Sequence, residues 1–175
     1  RILAGALVDL LPIAERELSL QRQTAYRDIG APPAIAERIV VLNTLSNAMD
    51  IVQISEETGG SVTDIARAYF RIGVDLGLLL LRRQARQMPG ATEWQRLAAD
   101  ALLDDAYAQQ REIVSRLARS MLNLGDVEAW TRQCIGSNSQ LQDVLTEVAR
   151  TSPPDLAMLT VASRRIRAAF ISPPA

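Results

Sequence analysis

Apolar residues recur every three to four positions along this chain, and nothing alternates with period two for long. That spacing belongs to one face of an α-helix, not to a half-buried strand. No Asn-Gly or Asp-Gly pair signals a hairpin. Residues 2–27 carry Leu3, Leu7, Leu10, Leu11, Ile13, Ala14 and Leu18, with Pro12 inside the run. Proline removes a backbone donor and clashes with the preceding turn, so a kink or a junction of two helices is expected at Pro12. Gly30-Ala31-Pro32-Pro33 is the first firm break. A helix is expected from about Pro32, because proline suits an opening turn. Ile35, Ala36, Ile39 and Val40 give its face, and Leu42-Asn43 its expected end. A separate helix over about 45–57, with Leu45, Ala48, Met49 and Val52, should stop at Gly59-Gly60.

Ser61-Val62-Thr63-Asp64 has the form of a capping box. Behind it, Val62, Ile65, Ala66, Tyr69, Phe70, Gly73 and Leu76 fall on one helical face. Gly77 separates this helix from a short buried one over Leu78 to Gln87, and Met88-Pro89-Gly90 reads as a turn. Thr92-Glu93-Trp94-Gln95 is a second capping box, opening the longest helix, near 92–124. Its apolar face reads Trp94, Leu97, Ala98, Ala101 and Leu102, then Ile113, Leu117, Met121 and Leu124. Its centre, Asp104-Asp105 and Gln109 to Glu112, is polar and is expected at solvent or against a partner. Gly125-Asp126 restarts the chain. Val127, Trp130, Thr131 and Cys134 fit a short helix closed by Gly136, and residues 136–139 a loop. Leu141, Val144, Leu145 and Val148 form the next stripe. Ser152-Pro153-Pro154-Asp155 reads as a cap with proline at the first helical position, ahead of Leu156, Leu159, Ser163, Ile166 and Phe170. Residues 172–175 read as a frayed tail. The expected fold is all-α, an irregular multi-helix bundle of about eight to ten helices with short connections. It is read as one domain over 1–175, with any sub-boundary near 125–137.

Composition narrows the chemistry. Of 175 residues, none is histidine or lysine, one is cysteine, and all 19 basic residues are arginine. General-base and nucleophilic chemistry near neutral pH relies mainly on His, tuned Lys or Cys. Arginine stays protonated and can do neither. With 48% apolar residues a core is available, and the formal net charge of −1 disfavours nucleic acid as a partner. A lone cysteine forms no internal disulfide, which suits the cytoplasm. No apolar run approaches the ~20 residues needed to cross a bilayer. Arg1 to Val8 faintly resembles a signal-peptide core but meets Asp9 at once, so a core helix is the better reading. Starting without Met, the chain reads as a fragment of a longer protein or a trimmed product.

Candidate sites are few. There is no Gly-x-Gly-x-x-Gly, no phosphate-binding loop with its lysine, and no His- or Cys-rich cluster. Glu56-Glu57 and Asp104-Asp105 are adjacent acids, but neighbours on a helix point about 100° apart and do not converge. Glu112 with Arg116 and Glu128 with Arg132 are i,i+4 surface pairs. Cys134 lies on an apolar stripe and is expected to be a buried structural thiol. Ser115 and Ser120 have no histidine to activate them. Helices 45–57 and 61–76 about Gly59-Gly60 imitate a helix-turn-helix, sharpened by Arg67, Arg71, Arg82, Arg83 and Arg86. No catalytic, cofactor-binding or metal residue is assigned.

One longer succession stands out. It runs from Gly30-Ala31 and Pro33 through Ile35-Ala36-Glu37-Arg38 and Ala48-Met49-Asp50-Ile51-Val52 to Val62, Ile65-Ala66 and Tyr69-Phe70. It continues through Ile72-Gly73 and Leu76-Gly77-Leu78 to Trp94-Gln95-Arg96-Leu97-Ala98, Leu103-Asp104-Asp105, Tyr107 and Gln109-Gln110-Arg111. In order and spacing this resembles the C-terminal region of the large bacterial NAD-specific glutamate dehydrogenases. The resemblance implies a parent enzyme that oxidatively deaminates glutamate to 2-oxoglutarate with NAD. It places catalytic and dinucleotide-binding residues upstream, so NAD is the parent's cofactor and this chain binds none. The implied partners are the catalytic core of the same polypeptide and further copies in a homo-oligomer, with no nucleic acid and no membrane. Arg82, Arg83, Arg86 and the polar centre of helix 92–124 are candidate contact surfaces for assembly, with ordinary solvation the favoured reading of them. A nucleic-acid-binding helical module and a free-standing adaptor are the alternatives.

Overall fold

A computed structural model of the chain describes residues 24, 27–28, 30–88, 92–120, 126–136 and 138–171, with the backbone alone over 36–46. Every regular element among them is a helix, as the periodicity predicts. In chain order these are α1 (Pro33–Thr58), α2 (Val62–Asp75), α3 (Leu78–Arg86), α4 (Glu93–Ser120), α5 (Val127–Gly136), α6 (Ser139–Arg150) and α7 (Leu156–Phe170). Thr24, Arg27 and Asp28 are also helical. The expected kink at Pro12, the Pro89-Gly90 turn, the 121–125 end of the long helix and the 172–175 tail lie outside the described residues. The chain divides into two compact units, and the divide falls inside α2, between Phe70 and Arg71.

In the first unit, α1 is one helix where two were expected. Residues 34–58 contain neither Gly nor Pro, so Asn43 lowers helix propensity by a fraction of a kcal/mol without removing a hydrogen bond. Pro33 opens the helix, and Gly59 ends it at φ 72°, its N–H donating to the Ser55 carbonyl. The buried line of its last turns is Ala48, Ile51 and Ile54, while Met49 is 74% exposed. Of the expected stripe, Ala48 is buried and Val52 half-buried, whereas Met49 is turned out and Ile51 and Ile54 take the inner positions. The Ser61 cap forms: the Asp64 N–H donates to Ser61 Oγ at 3.1 Å, and the Ser61 hydroxyl donates to Asp64 Oδ2 at 2.7 Å. Ile65, Ala66, Ala68, Tyr69 and Phe70 are buried behind it, and Tyr69 donates from its hydroxyl to Asp50 at 2.8 Å.

In the second unit α4 is the spine. α3 and α7 both pack along it and against each other. α6 packs on α7 and α3, and α5 on α6. The α4 cap is a complete reciprocal box: Gln95 N–H donates to Thr92 Oγ1 at 3.2 Å, and Thr92 N–H donates to Gln95 Oε1 at 3.1 Å. The cap of α7 is Asp155, whose carboxylate accepts from the Met158 N–H at 2.8 Å. The prolines precede the helix instead of opening it, because Asp155 supplies the acceptor that the first turn needs. Asn138 caps α6 in the same way.

Gly77 makes the corner from α2 to α3 at φ 71°, a left-handed conformation costly for any residue with a Cβ. A Cβ there would also sit 2.6 Å from Leu145 Cδ2 on α6. Gly77→Ala should therefore destabilise the chain by at least about 1–2 kcal/mol from the backbone alone, with the clash adding to it. Urea unfolding measures this, and a loss below half that range would show that the corner is not held as described.

Candidate functional site

The polar centre of α4 is divided, with Asp104 and Arg111 at solvent and its glutamines turned inward. Gln109 and Gln110 are fully buried. Asp105 and Asp104 diverge as adjacent helical residues must: Asp104 is exposed, and Asp105 turns inward. Gln109 Nε2 donates to Asp105 Oδ2 at 2.7 Å and to Ser163 Oγ on α7 at 2.7 Å. The Ser163 hydroxyl donates to the same carboxylate oxygen at 2.5 Å, and Arg167 pairs with the other. Sequence reading missed Gln109, Ser163 and Arg167 as one cluster. The available signal was Gln109 four residues after Asp105, with Ser163 on the buried stripe of α7 and Arg167 one turn on.

This cluster sets the charge state of Asp105. Burial pushes its carboxyl up, but the hydrogen bonds from Ser163, Arg167 and Gln109 and the charge of Arg167 outweigh that, leaving it below the usual carboxylate range. An ionised acceptor with three donors cannot also act as a general acid at neutral pH. The Arg167 pair is half-exposed and worth up to about 1 kcal/mol, so the buried neutral donors fix the geometry.

A second cluster lies on α3. Arg82 is 2% exposed, and neither Nη1 nor Nη2 has a hydrogen-bond partner. Its guanidinium lies 4.2 Å from the centroid of the Tyr107 ring on α4. Arg86, one turn later, donates to the Tyr107 hydroxyl at 2.8 Å. A desolvated cation–π contact offsets about 2 kcal/mol, against several kcal/mol for burying an unpaired ion. Arg82 is thus not the exposed residue that was expected.

The remaining candidates resolve into ordinary packing. Arg67 pairs with Asp64, and Arg71 with Asp75 and Glu128. Arg132 also pairs with Glu128, and Arg116 with Glu112. Of the arginines that sharpened the helix-turn-helix likeness, Arg67 and Arg71 are balanced by acids and Arg82 is buried, while Arg83 and Arg86 are exposed and make no ion pair among the described residues. Glu57 accepts from Gln53. Ser115 is buried, Ser120 is exposed, and the Ser120 hydroxyl donates to the Leu117 carbonyl. Cys134 is half-buried, not fully so, and burial pushes its thiol up, away from the reactive thiolate. A cleft of about 350 Å³ is lined by Arg71, Asp75, Thr131, Arg132, Ile135, Gly136 and Gln142. Its charges are matched, with the Thr131 hydroxyl donating to Asp75 at 2.6 Å. Among the described residues no three acids or cysteines gather to hold a metal ion, and no helix is long and apolar enough to cross a membrane.

These features define a helical packing domain whose polar groups are spent on holding helices together. The model of the family "Glutamate dehydrogenase, C-terminal" matches residues 1–168, and the chain belongs to that family. It is 31% identical over 164 residues, 91% of its length, to an NAD-specific glutamate dehydrogenase of Pseudomonas aeruginosa. It is 25% identical over 146 residues, 79% of its length, to an NAD-specific glutamate dehydrogenase of Mycobacterium tuberculosis. The chain spans only 10% and 9% of those two relatives.

The Asp105 cluster carries a pH signature. Its folded-state pKa lies below the unfolded value, so the folded chain binds fewer protons in acid than the unfolded chain does. The stabilisation is present above the unfolded pKa and is lost as pH falls through the folded one. Unfolding free energy should drop as pH falls below the ordinary value of 3.8, and Asp105→Asn should flatten that drop. Equal slopes for the two proteins between pH 5 and roughly 2 would remove Asp105 from this role.

Proposed function

We propose that the chain is the non-catalytic C-terminal domain of a large NAD-dependent glutamate dehydrogenase and serves its assembly or regulation. The parent reaction is L-glutamate with NAD and water giving 2-oxoglutarate, ammonia and NADH, in the cytoplasm and in amino-acid catabolism. NAD belongs to the parent's catalytic core, and this chain binds none. Two observations support a role without chemistry of its own. The chain holds no histidine or lysine, and Asp105, the acid with a shifted pKa among the described residues, is committed to packing.

The single observation that carries the docking role is on the outer face of α4. Trp94 is 80% exposed and Leu97, one turn on, is 51% exposed. Both were expected in the core. A tryptophan left in water at the start of a long helix is the kind of anchor that protein interfaces bury. The surface it fits is the rest of the same polypeptide or another copy of the parent, whose homo-oligomer is part of this proposal.

Glutamate-dependent NAD reduction by the full-length parent, with and without these 175 residues, tests the assignment. Deletion should lower activity or change subunit assembly, and turnover of glutamate and NAD by this chain alone would overturn it. Trp94→Ser in the full-length protein should reproduce part of the deletion effect while shifting the unfolding of the isolated chain by less than about 0.5 kcal/mol. A full-length variant indistinguishable from wild type in size and rate would exclude this face.

A further inference from the structure

We propose that the inner end of the cleft between α3 and α4 is a binding site for a small oxyanion, held by Arg82 and Arg86 about the Tyr107 phenol. Three observations converge there. The first is unmatched charge. Arg82, Arg83 and Arg86 occupy the last five residues of α3, and none makes an ion pair among the described residues, whereas Arg67, Arg71, Arg116, Arg132 and Arg167 all do.

The second is burial. A guanidinium keeps its proton under all ordinary conditions, so it cannot escape desolvation by becoming neutral, as a buried lysine can. Arg82 is nonetheless 98% buried with both terminal nitrogens unpartnered. Its flat face is taken by Tyr107, which leaves its nitrogen fork, the part that matches a carboxylate or phosphoryl group in bidentate fashion.

The third is access. A cleft of about 270 Å³ runs between α3 and α4, its lining including Ala85, Arg86, Gln95, Asp100 and Leu103. Arg82 precedes Ala85 by three residues and Arg86 by four, and Tyr107 follows Leu103 by four, so the Arg82–Tyr107 stack lies one helical turn beyond the cleft's inner end on the same two faces. Arg86 bridges the two levels through its bond to the Tyr107 hydroxyl. An oxyanion entering the cleft meets Arg86 first, and a rotation of the Arg82 side chain brings its fork to the same anion. Asp100 is a carboxylate in the lining and opposes the anion.

The test uses the 175-residue chain with inorganic phosphate and with succinate, each at ionic strength matched by sodium chloride. The melting temperature should rise by roughly 3–5 °C for each tenfold increase of the favoured anion above its Kd. A rise with phosphate alone assigns a phosphoryl ligand, and a rise with succinate alone a carboxylate ligand. Arg82→Met, which keeps the stem and removes the unpaired charge, should melt higher than wild type without anion and lose the anion-dependent rise. Arg86→Gln should weaken the response at least tenfold, and Asp100→Asn should strengthen it. The proposal is overturned if neither anion raises the melting temperature above the chloride control, or if Arg82→Met responds as wild type does.

Discussion

Burying a polar helix face between two other helices is the constraint on which the second unit depends. α4 runs between α3 and α7, and its middle carries Asp105, Gln109 and Gln110. A buried amide or carboxylate left without a partner costs more than its hydrogen bond would have contributed. The fold answers with Ser163 and Arg167 on α7, which close a three-way cluster with Gln109 on the Asp105 carboxylate. α7 is therefore fixed in rotation about α4 by directional bonds, where apolar contact alone would tolerate sliding. Gly73 adds to the same fit, because a Cβ there would stand 2.7 Å from Gln110 Nε2.

The same constraint separates structural charge from available charge. Arg71, Arg116 and Arg132 of the second unit sit half-exposed or exposed beside acids, where each pair contributes little. Arg116 goes further, pairing with Glu112 and donating to the Ile171 carbonyl just past the end of α7. Arg82 stands apart because its guanidinium is buried over an aromatic face with no acceptor. Asn47 Oδ1 and Gln109 Oε1 are also buried without a hydrogen-bond partner, but they are neutral, whereas the Arg82 fork carries a full charge.

Membership of the glutamate dehydrogenase C-terminal family fits a segment that spends its side chains on architecture. Trp94 and Leu97 are the features this economy does not explain within the chain itself. They are large, apolar and outward, on a helix whose inner face is already occupied. An apolar pair of that kind has a physical reason to persist if a larger protein covers it.

Sequence alone determined the local structure. Helical periodicity, two capping boxes and the glycine corners at Gly59 and Gly77 depend on interactions within a few residues, and each formed as read. The start of α7 was read three residues early, because Ser152 and Asp155 are both competent caps and the helix takes Asp155. What tertiary structure decided was which face of a helix is inside. Met49, Trp94 and Leu97 sit at helical spacing with core residues yet are exposed, while the polar Gln109 and the charged Arg82 are buried. Spacing shows that a helix has two faces, but the choice between them depends on which neighbours a polar group meets, whether through hydrogen bonds or an aromatic face. Those neighbours, Ser163 for Gln109 and Tyr107 for Arg82, are remote in sequence and meet only when the helices pack.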